Sequence, residues 1–221
     1  MKLLQHAASF ASVGVIAVIT AFTIQVNSTS SALPITITPV SAATHNVIAF
    51  QIDSKNSKLV WTARKVTGTH TGTIAISSGT LNVESNSLKS GSFKLDTRSI
   101  TVTDIKDAEG NAKLTGHLKG DDFFAVEKYP SADFLITGIK PHSTNQYEVT
   151  GTLTIKGITN NIAFPATVTM DKSKLTAQAK VSVDRTKYDI KYRSKHYFEN
   201  LGDKAIYDDF DLDIILVANA Q

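Results

Sequence analysis

From about Val47 to Val217 the chain runs apolar, polar, apolar, polar in short stretches, with Gly, Asn, Asp or Ser between them. A strand sends successive side chains to opposite faces, so a period of two dictates sheet with one apolar face. So many half-apolar strands in one domain bury that face only inside a sandwich or a closed barrel. The interior of such a barrel is either a packed core or a lipid cavity. Choosing between the two is most of the functional question.

The pattern begins with a strand over 59–66, where Trp61, Ala63 and Lys65 share a face. Two short strands, 73–77 and 80–84, follow on either side of Ser78-Gly79, and Phe93 and Leu95 share a face within 91–96. Alternation breaks over 107–124. There Leu114 and Leu118, four apart, suit a short helix, which Gly110, Gly116 and Gly120 weaken. Alternation resumes at Ala132, Phe134 and Ile136. Inward sets follow at Val149, Gly151, Leu153 and Ile155; at Ile162, Phe164, Ala166, Val168 and Met170; and at Ala177, Ala179, Val181 and Val183. Gly157 with Asn160-Asn161 is expected to turn the chain between the first two sets, and residues 171–174 between the next two. The last strand carries Phe210, Leu212, Ile214 and Leu216 inward and Asp209, Asp211 and Asp213 outward. The expected fold is all-β, an antiparallel meander with one helical interruption.

The beginning of the chain differs. Lys2 is the only formal charge before Asp53, residues 7–24 are uncharged and largely apolar, and residues 25–44 are rich in Ser, Thr and Pro. Residues 1–44 therefore read as a secretory signal peptide and polar linker, and 45–221 as the folded domain. An uncleaved anchor is the alternative. Either way the domain is expected outside the cytoplasm, periplasmic or secreted. The net charge of +3 carries no nucleic-acid footprint. The absence of cysteine excludes disulfides, thiolate metal sites and a Cys nucleophile.

Chemistry-bearing motifs are sparse. His45, His70, His117, His142 and His196 show no ligand spacing on a helix or strand face. The acidic run 208–213 lacks the Gly and distal Glu of a calcium loop and fits an outer strand face. No nucleophile elbow or phosphate loop is present. The expectation is a non-enzyme with no metal and no cofactor. The one argument for catalysis is that His117 lies close in sequence to Asp121 and Asp122, a proton-transfer pair for an enzyme acting on an amphiphile. Residues 184–196, read as a strand, place Tyr188, Ile190 and Tyr192 on one face and Lys187, Lys191, Arg193 and Lys195 on the other. Either Arg185 and a Tyr hydroxyl receive an anionic head group at a barrel mouth, or the segment is a solvated basic face with tyrosines in the core.

Several stretches, in order, resemble one family. They are Phe50-Gln51-Ile52-Asp53 with Lys58-Leu59-Val60-Trp61; Gly116-His117-Leu118-Lys119-Gly120-Asp121-Asp122-Phe123-Phe124; Lys128-Tyr129-Pro130; 151–157; and 184–190. Residues 48–218 resemble a YceI-like domain, a lipocalin-like, polyisoprenoid-binding family of exported bacterial proteins. One departure is the Gly68-Thr69-His70-Thr71-Gly72 segment beside Lys65, and many members carry a His-Ser pair earlier, where this chain has Asn56-Ser57. The resemblance implies a lipocalin-like antiparallel β-barrel with a short helical insertion. It also implies non-enzymatic binding, storage or transport of an isoprenoid amphiphile, a polyprenyl phosphate or a quinone-like lipid. Lining positions would be Trp61, Phe93, Phe123, Phe124, Phe134, Leu153, Phe164, Val181 and Tyr188, with His117 and Arg185 as polar contacts. Partners expected are the lipid, a second copy meeting it through a strand edge or the insertion, and transient contact with membrane, but no nucleic acid. The alternative is an exported stress-response or interaction scaffold whose barrel is filled.

Overall fold

The computed structural model of the chain describes residues 46–221. The expected leader, residues 1–44, lies outside the described residues. Nine strands and one helix follow in order: β1 (Val47–Ile52), β2 (Lys58–Lys65), β3 (Gly68–Glu84), β4 (Ser87–Val102), α1 (Ala108–Lys119), β5 (Ser131–Ser143), β6 (Gln146–Ile155), β7 (Ile158–Met170), β8 (Lys174–Asp184) and β9 (Ile206–Ala220). All pairings are antiparallel, and the sheet closes on itself.

β1 and β2 occupy one slot. Both lie between β3 and β9, β1 against Thr80 to Glu84 and β2 against Gly68 to Thr73. The circuit is therefore an eight-stranded barrel with one strand interrupted. The interruption is a turn in which the Asp53 carboxylate accepts the N–H groups of Lys55 and Asn56. Ser57 bridges the break in the ladder: its Oγ donates to the Val217 carbonyl at 3.2 Å and accepts the Val217 N–H at 3.0 Å. The Asn56-Ser57 departure noted above thus has a structural role.

The inward sets read from alternation face the lumen, with Val149, Leu153, Ile155, Val168, Val181 and Val183 all buried. Three expectations need correction. The expected strands 73–77 and 80–84 are one continuous β3. Gly79 does not end a strand there; it makes room, because a Cβ on it would lie 2.8 Å from both the Phe93 ring and the Ser92 carbonyl. The β6–β7 turn is Lys156-Gly157 alone, both at positive φ, while Asn160 and Asn161 belong to β7. Residues 184–196 are not a strand. The Asp184 carboxylate accepts from Thr186 N and Oγ1 and starts a 3-10 turn, Arg185–Tyr188, which Asp189 ends in the left-handed region.

Helix α1 crosses one end of the barrel, with the Asp107 side chain accepting the Gly110 N–H at 2.7 Å as its N-cap. The three hairpin turns β3–β4, β5–β6 and β7–β8 gather at the other end.

Candidate functional site: an apolar channel inside the barrel

Two apolar cavities occupy the lumen. The first, ≈ 100 Å³, is lined by Phe93, Phe134, Phe164, Val181 and aliphatic side chains from β2 to β9; its one polar lining residue among those described is Gln178. The second, ≈ 90 Å³, lies toward the α1 end, among Trp61, Ile74, Leu118, Phe123, Phe124 and Ile190. Each is of the same order as an engineered apolar cavity of ~150 Å³ that stays dry and admits a benzene-sized guest.

Four leucines line both cavities: Leu59 on β2, Leu95 on β4, Leu153 on β6 and Leu212 on β9. They form a waist between the two spaces. A rotamer change in an aliphatic side chain is small compared with opening a sheet, so this waist is the least costly place to connect the two cavities. Sequence reasoning singled out Leu153 as a lining residue but not the other three. Their signal was the alternation itself, which marks a residue as inward without telling lumen from core.

Of the expected lining residues, Phe93, Phe134, Leu153, Phe164 and Val181 meet at the first cavity, and Trp61, Phe123, Phe124, Leu153 and Arg185 at the second. The Trp61 indole N–H donates to the Thr101 carbonyl at 3.1 Å, so its ring faces the lumen with its polar atom satisfied.

Arg185 is not free to take a head group. Its side chain is 6% exposed. Nε donates to the Tyr207 carbonyl, Nη1 to that of Ile190, and Nη2 to that of Ile206 and to Asp208 Oδ1, at 2.7–3.2 Å. Burial lowers its pKa, and the charges of Asp208 and Asp184 oppose that shift. The guanidinium pins the 3-10 turn and the start of β9 to each other.

His117 lies outside both cavities. Its ring packs edge-on against Phe123 and Tyr192, with centroids 5.0 Å and 4.6 Å away, and Nε2 is 3.1 Å from Asp122 Oδ2. The His117–Asp122 pair read from sequence does form, but on the outer side of the helical end, whereas Asp121 faces Lys128.

This arrangement can be set beside known proteins. The model of the YceI-like domain matches residues 50–218. The chain belongs to the YceI-like domain family. A UPF0312 protein of Pseudomonas putida (strain W619) is 37% identical over 79 residues, 34% of this chain and 41% of that relative. A UPF0312 protein of Azotobacter vinelandii is 29% identical over 83 residues, 34% of this chain and 43% of that relative. The chain thus spans about two fifths of the length of these curated relatives. Among solved structures, BcnA of Burkholderia cenocepacia superposes with a TM-score of 0.61 at 23% identity, covering 76% of this chain and 99% of that one. A polyisoprenoid binding domain from Saccharophagus degradans superposes at 0.58 with 15% identity, covering 79% and 99%. At these identities the likeness is one of fold.

Within the YceI-like barrel, Tyr188 lies beside the lumen rather than on either cavity wall. It is 1% exposed, and among the described residues its hydroxyl has no hydrogen-bond partner. Burial, with Asp184 nearby, pushes its pKa up to about 12. A raised acid pKa means the fold favours the neutral phenol. Its stabilising share is complete below pH ~10 and is lost as pH climbs from there toward 12. Tyr188→Phe is expected to leave stability unchanged or raise it by about 1 kcal/mol, because an unpartnered buried hydroxyl costs its desolvation. Urea titrations at neutral pH and above pH ~10 should show the variant losing less stability in alkali than the parent chain; an equal loss would contradict this reading.

Proposed function

We propose that this YceI-like barrel is a non-enzymatic carrier of an isoprenoid amphiphile, acting outside the cytoplasm. The observation that carries the reading is the pair of cavities, almost wholly apolar and parted by a waist of four leucines. The fold neighbour described as a polyisoprenoid binding domain supports it, as does the uncharged, largely apolar stretch 7–24 that follows Lys2. Burying a methylene gains about 0.8 kcal/mol, so a five-carbon isoprene unit contributes roughly 3 kcal/mol on the same scale. A few such units exceed an association cost on the order of 4–15 kcal/mol with no help from a head group.

The lining favours a neutral head group such as a quinone over a phosphate. Among the described residues Arg185 is the one charged residue on either cavity wall, and its hydrogen bonds go to three carbonyls and Asp208. An isolated buried phosphate would be prohibitively costly there. A filled-barrel scaffold requires a solid interior, and these cavities count against it.

The test is mass spectrometry of the organic extract of the purified protein, alongside the variant Ala177→Phe. Ala177 faces the first cavity, and a phenyl ring there fills much of it. Prenyl lipid should copurify with the parent chain and be lost from a variant that keeps its β-sheet circular dichroism. A folded parent chain that neither retains nor takes up prenyl lipid would remove the carrier reading.

A further inference from the structure

The barrel wall has a seam that is only half sewn. β7 and β8 pair over five positions, from Ala166↔Ala179 to Met170↔Leu175. Yet β7 runs back to Ile158 and β8 on to Asp184. On their other sides both strands are held along these stretches, β7 by β6 and β8 by β9. A slit therefore lies between residues 158–165 and 180–184.

The sequence places the slit. Asp171 N–H donates to the Lys174 carbonyl, so odd-numbered residues of β7 turn their main-chain groups toward β8. The next such position beyond the sewn part is Pro165, opposite Lys180 in register, and proline has no N–H to give. At its far end the slit is tied again by Asn160 Nδ2, which donates to the Lys187 carbonyl at 2.9 Å.

The slit leads into the channel. Ile162 and Phe164, inward-facing on its β7 rim, are only half-buried, although Val168 further along the same face is 1% exposed. Both are on the wall of the first cavity, as is Val181 from the opposite rim. Outside lies a broad groove of ≈ 750 Å³ that includes Pro165 and Lys180. Groove and cavity share Ala166, Gln178, Ala179 and Ile214, so at the head of the slit the wall is one side chain thick, and two of those side chains are methyl groups.

We propose that this slit is a lateral doorway: the apolar chain of an amphiphile passes sideways between β7 and β8 into the first cavity, and its polar end stays in the outer groove. The proposal rests on the lipid-carrier reading. Lys180 in that groove is already paired with Asp213 at 3.1 Å, which again suits an uncharged, hydrogen-bonding head group.

The chain has no cysteine and a single tryptophan, Trp61, on the wall of the second cavity, so both the clamp and the readout are specific. In the full chain, Ala163→Cys with Ser182→Cys places thiols on opposite rims of the slit, to be bridged by a short, reducible bis-maleimide linker. Uptake from detergent micelles of a four-isoprene alcohol carrying bromine, a contact quencher, at the far end of its tail is followed by quenching of Trp61 fluorescence, since the tail is the part that enters the barrel. The bridged protein should take up the brominated prenyl alcohol at least about tenfold more slowly than the reduced protein, with the rate restored by reductant. A control bridge at Thr152→Cys with Asn161→Cys, across the closed β6–β7 seam, should leave the rate unchanged. Pro165→Thr, which restores the missing donor without a linker, should slow uptake in the same direction. Full quenching at an unchanged rate in the bridged protein would overturn the doorway while leaving the carrier reading intact. Absence of quenching in every form would overturn both.

Discussion

Replacing Arg185 by methionine is expected to cost about 3–5 kcal/mol of folding stability, read as a fall in the urea midpoint. The guanidinium is buried and supplies the donors for the carbonyls of Ile190, Ile206 and Tyr207 as well as for Asp208. Methionine keeps much of the volume and removes every donor. Three main-chain acceptors and a partly buried carboxylate then lose a partner in a region water reaches poorly, and each such loss costs about 1–3 kcal/mol. Arg185→Lys should recover less than half of this, because one ammonium cannot span acceptors arranged around a planar fork. If the residue were instead a free head-group receptor, the methionine variant would keep its stability and lose only ligand. A midpoint within experimental error of the parent chain would therefore refute the structural role assigned here.

Gly72→Ala is the second large effect, expected at about 3 kcal/mol or more, since overpacking against main chain cannot be relieved by a rotamer change. A Cβ at this position would lie 1.8 Å from the Thr101 carbonyl oxygen and 2.6 Å from the Trp61 ring. That same oxygen accepts the indole N–H of Trp61, so any retreat of β4 also disturbs the ring on the second cavity wall. Loss of stability should be accompanied by a shift in Trp61 emission. A variant with a parent-like midpoint and spectrum would show that the β3–β4 crossing is looser than this geometry requires.

These two residues show what could be read from the chain before its structure. Arg185 stood out in the sequence by its chemistry, but its partners are carbonyls of residues 190, 206 and 207, and main-chain acceptors leave no trace in residue type. Gly72, which with Gly68 brackets a Thr/His stretch, reads from the sequence as punctuation. It sits within β3 because a neighbouring strand crosses too close for a side chain. The same confusion divided β3 at Gly79. By contrast, the inward faces of β6, β7, β8 and β9 were legible in detail, because period-two alternation is a local property of the chain. What alternation cannot give is the waist: Leu59, Leu95, Leu153 and Leu212 come from four strands, and their convergence depends on closure of the sheet. Nor could it show the unsewn seam beside Pro165, since pairing across a seam belongs to two segments at once. The segment after Asp184 misled for a related reason. Its apparent alternation is broken by left-handed residues at Asp189 and Arg193, neither of which is glycine.

One further consequence concerns how the barrel is presented. Gln221 donates its N–H to the Ala49 carbonyl at 3.0 Å, so the last residue is stitched to the first strand, on the side where the three hairpins gather. Polypeptide joined ahead of Val47 and polypeptide joined after Gln221 thus leave from neighbouring points. A tether, fusion partner or solid support joined directly ahead of Val47 or directly after Gln221 grips the barrel by its hairpin side. The helix-capped side, with the open part of the β7–β8 seam at 158–165 and 180–184, then lies at the end away from the attachment, whereas the β7–β8 turn lies beside it.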